Sequence, residues 1–108
     1  MSRRDEYDAA YFTLLRAREE HTDLLRYREF LERESARLEA FIQDTRDRVD
    51  ALARRVRRPV EGTQRPMLEA VGRHRTTLLD ELERSDDRLA AAQAFVEECE
   101  AEVSTLRG

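Results

Sequence analysis

The chain has 108 residues, 41% of them charged and 40% hydrophobic, with three Gly, two Pro and no Trp. That length fits one small domain, and so few turn formers exclude a sandwich or barrel of many short strands. The abundance of Leu and Val sets it apart from disordered chains of equal charge, and a net charge of -4 argues against a strongly basic nucleic-acid binder overall.

What remains is a helical protein. Ser2 with Asp5 three residues later is a capping box in outline, so a first helix is expected to open at once. No Gly or Pro interrupts the stretch from Ser2 to Arg58. Pro59 lacks an amide hydrogen and pushes Arg58 away from helical geometry, which predicts helix 3–58 and a turn over 59–63 containing Gly62. Thr63 can cap a second helix, 64–107, with Pro66 tolerated in its first turn. Gly72 falls inside that helix and weakens it by about 1 kcal/mol relative to Ala.

A seam of alternating three- and four-residue steps runs through both segments. In the first it takes Tyr7, Ala10, Leu14, Ala17, His21, Leu24, Arg28, Leu31, Ser35, Leu38, Ile42, Thr45, Val49, Leu52 and Val56. In the second it takes Leu68, Val71, Arg75, Leu78, Leu82, Ser85, Leu89, Ala92, Val96, Cys99, Val103 and Leu106. Of these 27 positions 21 are apolar, where composition alone would supply about eleven. Such a heptad repeat, with a short connection, predicts an all-α antiparallel two-helix coiled-coil hairpin forming a single domain over 1–108.

Polar seam residues suggest the alignment. If paired numbers add to about 120, Ser35 faces Ser85, Thr45 faces Arg75, Arg28 meets the small Ala92, and His21 meets Cys99. Sliding to 127 would set Arg75 against Leu52, and burying unmatched polar groups costs about 1–3 kcal/mol each. In the 120 alignment about a dozen residues at the start of the first helix overhang the end of the second. They carry Tyr7, Tyr11 and Phe12, with Leu14 and Leu15 at the root. Off the seam, Leu25, Tyr27, Phe30, Phe41, Leu79 and Phe95 add apolar surface that a two-helix seam does not cover. Self-association into a four-helix bundle, as a homodimer, is the expected remedy, with Tyr7, Tyr11, Phe12, Leu15, Tyr27, Phe30 and Phe41 in the interface. A heterologous protein partner would serve the same surface.

Charge is unevenly placed. Residues 54–75 hold seven Arg against Glu61 and Glu69, a net +5, while residues 80–102 hold nine acids and only Arg84 and Arg88. Arg54, Arg55, Arg57 and Arg58 near the end of the first helix would offset its macrodipole, which leaves Arg65 and Arg73 unexplained. Alternatively the basic tip meets the acidic base of a second hairpin, or Arg54, Arg55, Arg57, Arg58 and Arg65 contact phosphate on a nucleic acid or ribosome.

Nothing in the sequence assembles a catalytic or cofactor site. His21 and Cys99 offer zinc two ligands where about four are needed. The residues three before His21 and His74 are Arg18 and Val71, so the Glu-x-x-His of carboxylate-bridged di-iron bundles is missing. No Gly-rich phosphate loop, nucleophile elbow or Cys-x-x-Cys pair is present. The expectation is a non-enzyme with no cofactor and no metal. The single Cys99 forbids an internal disulfide and suits a reducing compartment. No apolar run of signal-peptide or membrane-spanning type occurs, so the expected location is the cytoplasm.

In architecture alone the chain resembles the hairpin factors that enter the RNA polymerase secondary channel, and the tRNA-gripping arm of seryl-tRNA synthetases. The former carry acidic tips that hold magnesium, whereas this tip carries Arg54, Arg55, Arg57 and Arg58. In size it also resembles WXG100-type hairpins, but Val60 stands where their Trp would be and no Tyr follows Tyr27. The function expected from the residues is therefore a self-associating protein–protein interaction or adaptor module. A phosphate-binding helical hairpin is the alternative.

Overall fold

The computed structural model describes residues 2–108. It is an antiparallel helical hairpin of two helices, α1 (Arg3–Asp50) and α2 (Arg54–Arg107), with no strand among the described residues. The capping box forms at the start of α1: the Asp5 N–H donates to Ser2 Oγ at 3.2 Å, and the Ser2 N–H donates to Asp5 Oδ2 at 3.4 Å. These bonds satisfy amide groups that the helix itself leaves open.

The turn lies elsewhere than the prolines suggest. It occupies Ala51, Leu52 and Ala53, and both Pro59 and Pro66 lie inside α2. The expected turn at 59–63 and the boundaries 3–58 and 64–107 are therefore corrected. Thr63 is no cap; its hydroxyl donates to the Pro59 carbonyl one helical turn back, at 3.1 Å. The Leu52 N–H donates to Val49 O at 3.0 Å, tightening the last turn of α1, and Ala53 O accepts the Val56 and Arg57 N–H groups as α2 begins. Arg57 closes the corner by donating through Nη2 to Asp50 O at 3.0 Å and Leu52 O at 3.1 Å. A guanidinium over the carbonyl end of α1 offsets the partial negative charge there.

The chain divides into two compact units, one formed by the chain up to Glu29 with Glu83–Gly108, the other by Phe30–Leu82. In the first, Leu14, Ala17, Val96, Cys99 and Val103 make the core, with Tyr7 and Ala10 packed against it. The amino-terminal overhang expected from the sequence does not exist. Arg107 at the far end of α2 donates to the Tyr7 hydroxyl at 3.2 Å, so the end of α2 meets the second turn of α1. In the second unit Leu31, Leu38 and Leu78 form the core, flanked by Val71 and Leu82.

Alignment moves with the turn. Within the first unit Arg28 reaches Asp86 at 2.6 Å, not Ala92. Within the second Arg75 pairs with Glu39, not Thr45. Each pair adds to 114, six below the expected 120 and so close to one heptad away. An apolar heptad pattern is satisfied almost equally by alignments a whole heptad apart, so residues that break the pattern choose between them. A shift of seven from the observed pairs would set Arg28 against Gln93 and Arg75 against Arg46, replacing two ion pairs with a neutral contact and a repulsion. Such half-exposed pairs are worth only about 0.2–1 kcal/mol each, but the shifted alignment forfeits both.

Candidate functional site

Apolar side chains reach the surface in both units. In the first, Tyr7 lies in the seam and stacks on Tyr11, with ring centroids 6.2 Å apart and planes 11° from parallel. Its hydrogen bond to Arg107 holds that guanidinium above its ordinary pKa, the bond itself being the main cause. Beside the stack Phe12 is 67% exposed, and Leu15, Tyr27 and Leu25 on α1 and Phe95 on α2 are also exposed. In the second unit Phe30 is 50% exposed, and Phe41, Met67 and Leu79 stand out from the two helices. Phe41 and Met67 rim a groove floored by Val49, Leu52 and Val60. Of the interface residues expected from sequence, Tyr7 alone is half-buried, while Tyr11, Phe12, Leu15, Tyr27, Phe30 and Phe41 are all exposed. Met67 escaped sequence reasoning because it was assigned to the opening of the second helix; its signal is its spacing from Val60 and Gln64 along α2.

The polar seam residues hold no ligand-like arrangement. Arg28 and Arg75 lie half-buried and send their charged ends to carboxylates on the facing helix, as long basic side chains do. Ser85 is fully buried and its hydroxyl has no partner, a cost accepted for a small residue in the seam. Glu34 is held below its ordinary pKa chiefly by its hydrogen bond from Arg37; burial works the other way.

His21 is half-buried and Cys99 buried in the seam. No group of three or more His, Cys, Asp or Glu side chains able to hold a metal occurs among the described residues, and Cys99 is packed among Leu14, Ala17, Val96 and Val103. Burial, aided by the Glu98 and Glu102 charges, pushes its thiol above the ordinary range. The thiolate is the reactive form, so alkylation of Cys99 in the folded chain is expected to be much slower than in urea at the same mildly alkaline pH. The protonated thiol's contribution to stability is complete below the ordinary thiol pKa and lost as pH climbs through the raised one. Equal labelling rates in folded and unfolded protein would contradict the burial.

Arg54, Arg55, Arg57 and Arg58 occupy the opening of α2. Placing them at the end of α1 is therefore corrected: they sit at the positive end of a helix dipole, and Arg57 alone reaches the carbonyl end of α1. No helix among the described residues is long and apolar enough to cross a membrane. Comparison with known proteins finds no matching family model, no matching curated protein and no matching solved structure.

Proposed function

We propose that the chain is a non-enzymatic protein–protein interaction module that acts by self-association, two hairpins packing into a four-helix bundle of coiled-coil type. The observation that carries this reading is an imbalance of burial. Among the described residues nine hydrophobic side chains are buried, whereas eleven large ones are exposed. Scattered exposed Leu or Val needs no explanation, but four Phe and two Tyr in that set offer large apolar areas. A second copy supplies a surface of the same kind, and a two-fold axis lets Phe41 of each copy enter the groove floored by Val49, Leu52 and Val60 of the other.

Sedimentation or light scattering on the purified chain tests this directly. The expected result is a dimer at micromolar concentration. Phe41→Ser with Met67→Ser should yield a monomer of unchanged helicity, because both side chains are exposed in the single hairpin. A strict monomer at high micromolar concentration, or a dimer indifferent to both substitutions, would overturn the proposal.

A further inference from the structure

The opening of α2 is charged against its own dipole. Helix amino termini favour carboxylates and disfavour cations, yet α2 begins Arg54-Arg55-Val56-Arg57-Arg58 with no acidic residue in its first turn. Arg57 is accounted for by the two carbonyls it binds, although its Nε is buried without a partner. Arg54, Arg55 and Arg58 are exposed, and no hydrogen bond or ion pair engages the side chain of any of them. With Pro59 they line one shallow concavity in which Glu61 is the only acid. Three unpaired guanidiniums crowded at the positive end of a dipole weaken the free hairpin. They make electrostatic sense when an anion lies among them.

We propose that this corner is a binding site for the phosphates of a nucleic-acid duplex, recognised through the backbone and not the bases. Several observations select this occupant. Arg presents a planar fork that engages phosphate oxygens in pairs, and every basic residue of the cluster is Arg. The concavity has no aromatic side chain, so it offers no platform on which unpaired bases would stack. It also lacks the bulky apolar anchors of a lipid-surface site, Val56 being the one exposed hydrophobic among the arginines. Residues outside 54–75 carry a net -9, which repels a polyanion and confines contact to the corner. Binding is therefore weak, independent of sequence and steeply dependent on salt. This surface is separate from the Phe41 groove, and the inference does not require self-association.

The test is fluorescence anisotropy of a labelled duplex of arbitrary sequence, titrated with the full chain at several salt concentrations. Engagement of three or four phosphates predicts a slope of about -3 in log K against log salt. The triple variant Arg54→Glu, Arg55→Glu, Arg58→Glu leaves Arg57 and the corner it closes intact. It should abolish binding and, by placing carboxylates at the helix amino terminus, raise the melting temperature. Gain of stability with loss of binding separates a ligand site from a structural role. Parallel titrations use an unpaired strand of equal length and vesicles containing phosphatidylserine. Absence of duplex binding at low salt, affinity unchanged in the triple variant, or preference for the vesicles or the unpaired strand would each overturn the proposal.

Discussion

Replacing Pro66 by Ala should make the hairpin more stable, by roughly 1–3 kcal/mol, and raise its melting temperature by several degrees. Pro66 lies in the interior of α2 and is exposed, so the substitution forfeits little packing. It restores an amide hydrogen that can donate to the Gly62 carbonyl and removes a ring that crowds the preceding turn. The prediction separates the observed turn from the one local sequence suggests. Were residues 59–66 a loop, Pro66 would limit the unfolded chain's freedom, and its loss would be neutral or destabilising by about 0.4–1 kcal/mol. Thermal and urea unfolding followed by circular dichroism decide the sign. A fall in stability would return the turn to the prolines.

The seam was readable because it depends on a period repeated many times. Of its 27 assigned positions, all except Val56 are buried or half-buried, and Val56 fails because it lies beyond the turn. The turn was not readable by the same means. Ala51, Leu52 and Ala53 carry no breaker, and the strongest local breakers lie inside a helix. Proline's local penalty of about 3 kcal/mol is a strong signal for an isolated segment, but packing and alignment outweigh it here: Val60, Gln64 and Leu68 continue a half-buried face past both prolines. The information that sets the alignment was present, in the flanks and not in the seam. Arg28 and Arg75 each need a carboxylate on the facing helix, and an alignment near 114 supplies Asp86 and Glu39 together. The 120 alignment offers Ala92 and Thr45. Moving the turn also transfers Arg54 and its neighbours from the negative end of one helix to the positive end of the next, which turns a stabilising cluster into an unsatisfied one. Tyr27, Phe30, Phe41 and Phe95 were legible from heptad position alone, since each falls off the seam, whereas Tyr11 and Phe12 are exposed for the same reason and not because of an overhang.

Leu31→Ala should cost about 2–5 kcal/mol, the largest loss expected from any single truncation in the second unit. Leu31 is 2% exposed and forms the core there with Leu38 and Leu78. Truncation removes buried carbon and leaves space that a two-helix core has few neighbours to fill. Because small domains bury little apolar surface, such a loss is a large fraction of the whole stability. The adjacent residue provides the control. Phe30, rotated about 100° around the same helix, is 50% exposed, so in a lone hairpin Phe30→Ala should cost well under the loss at Leu31 despite removing a larger side chain. Self-association would change that comparison in a measurable way. If a second copy covers Phe30, the Phe30→Ala penalty grows with protein concentration, since coupling to assembly makes stability follow mass action. Leu31 lies in the intramolecular seam, so its truncation still destabilises the fold at concentrations too low for assembly. Urea unfolding of both variants across a concentration series therefore reports the hairpin's own core and any intermolecular one separately. A larger dilution-limit loss at Phe30 than at Leu31 would mean that the side chains holding the two helices together have been misassigned.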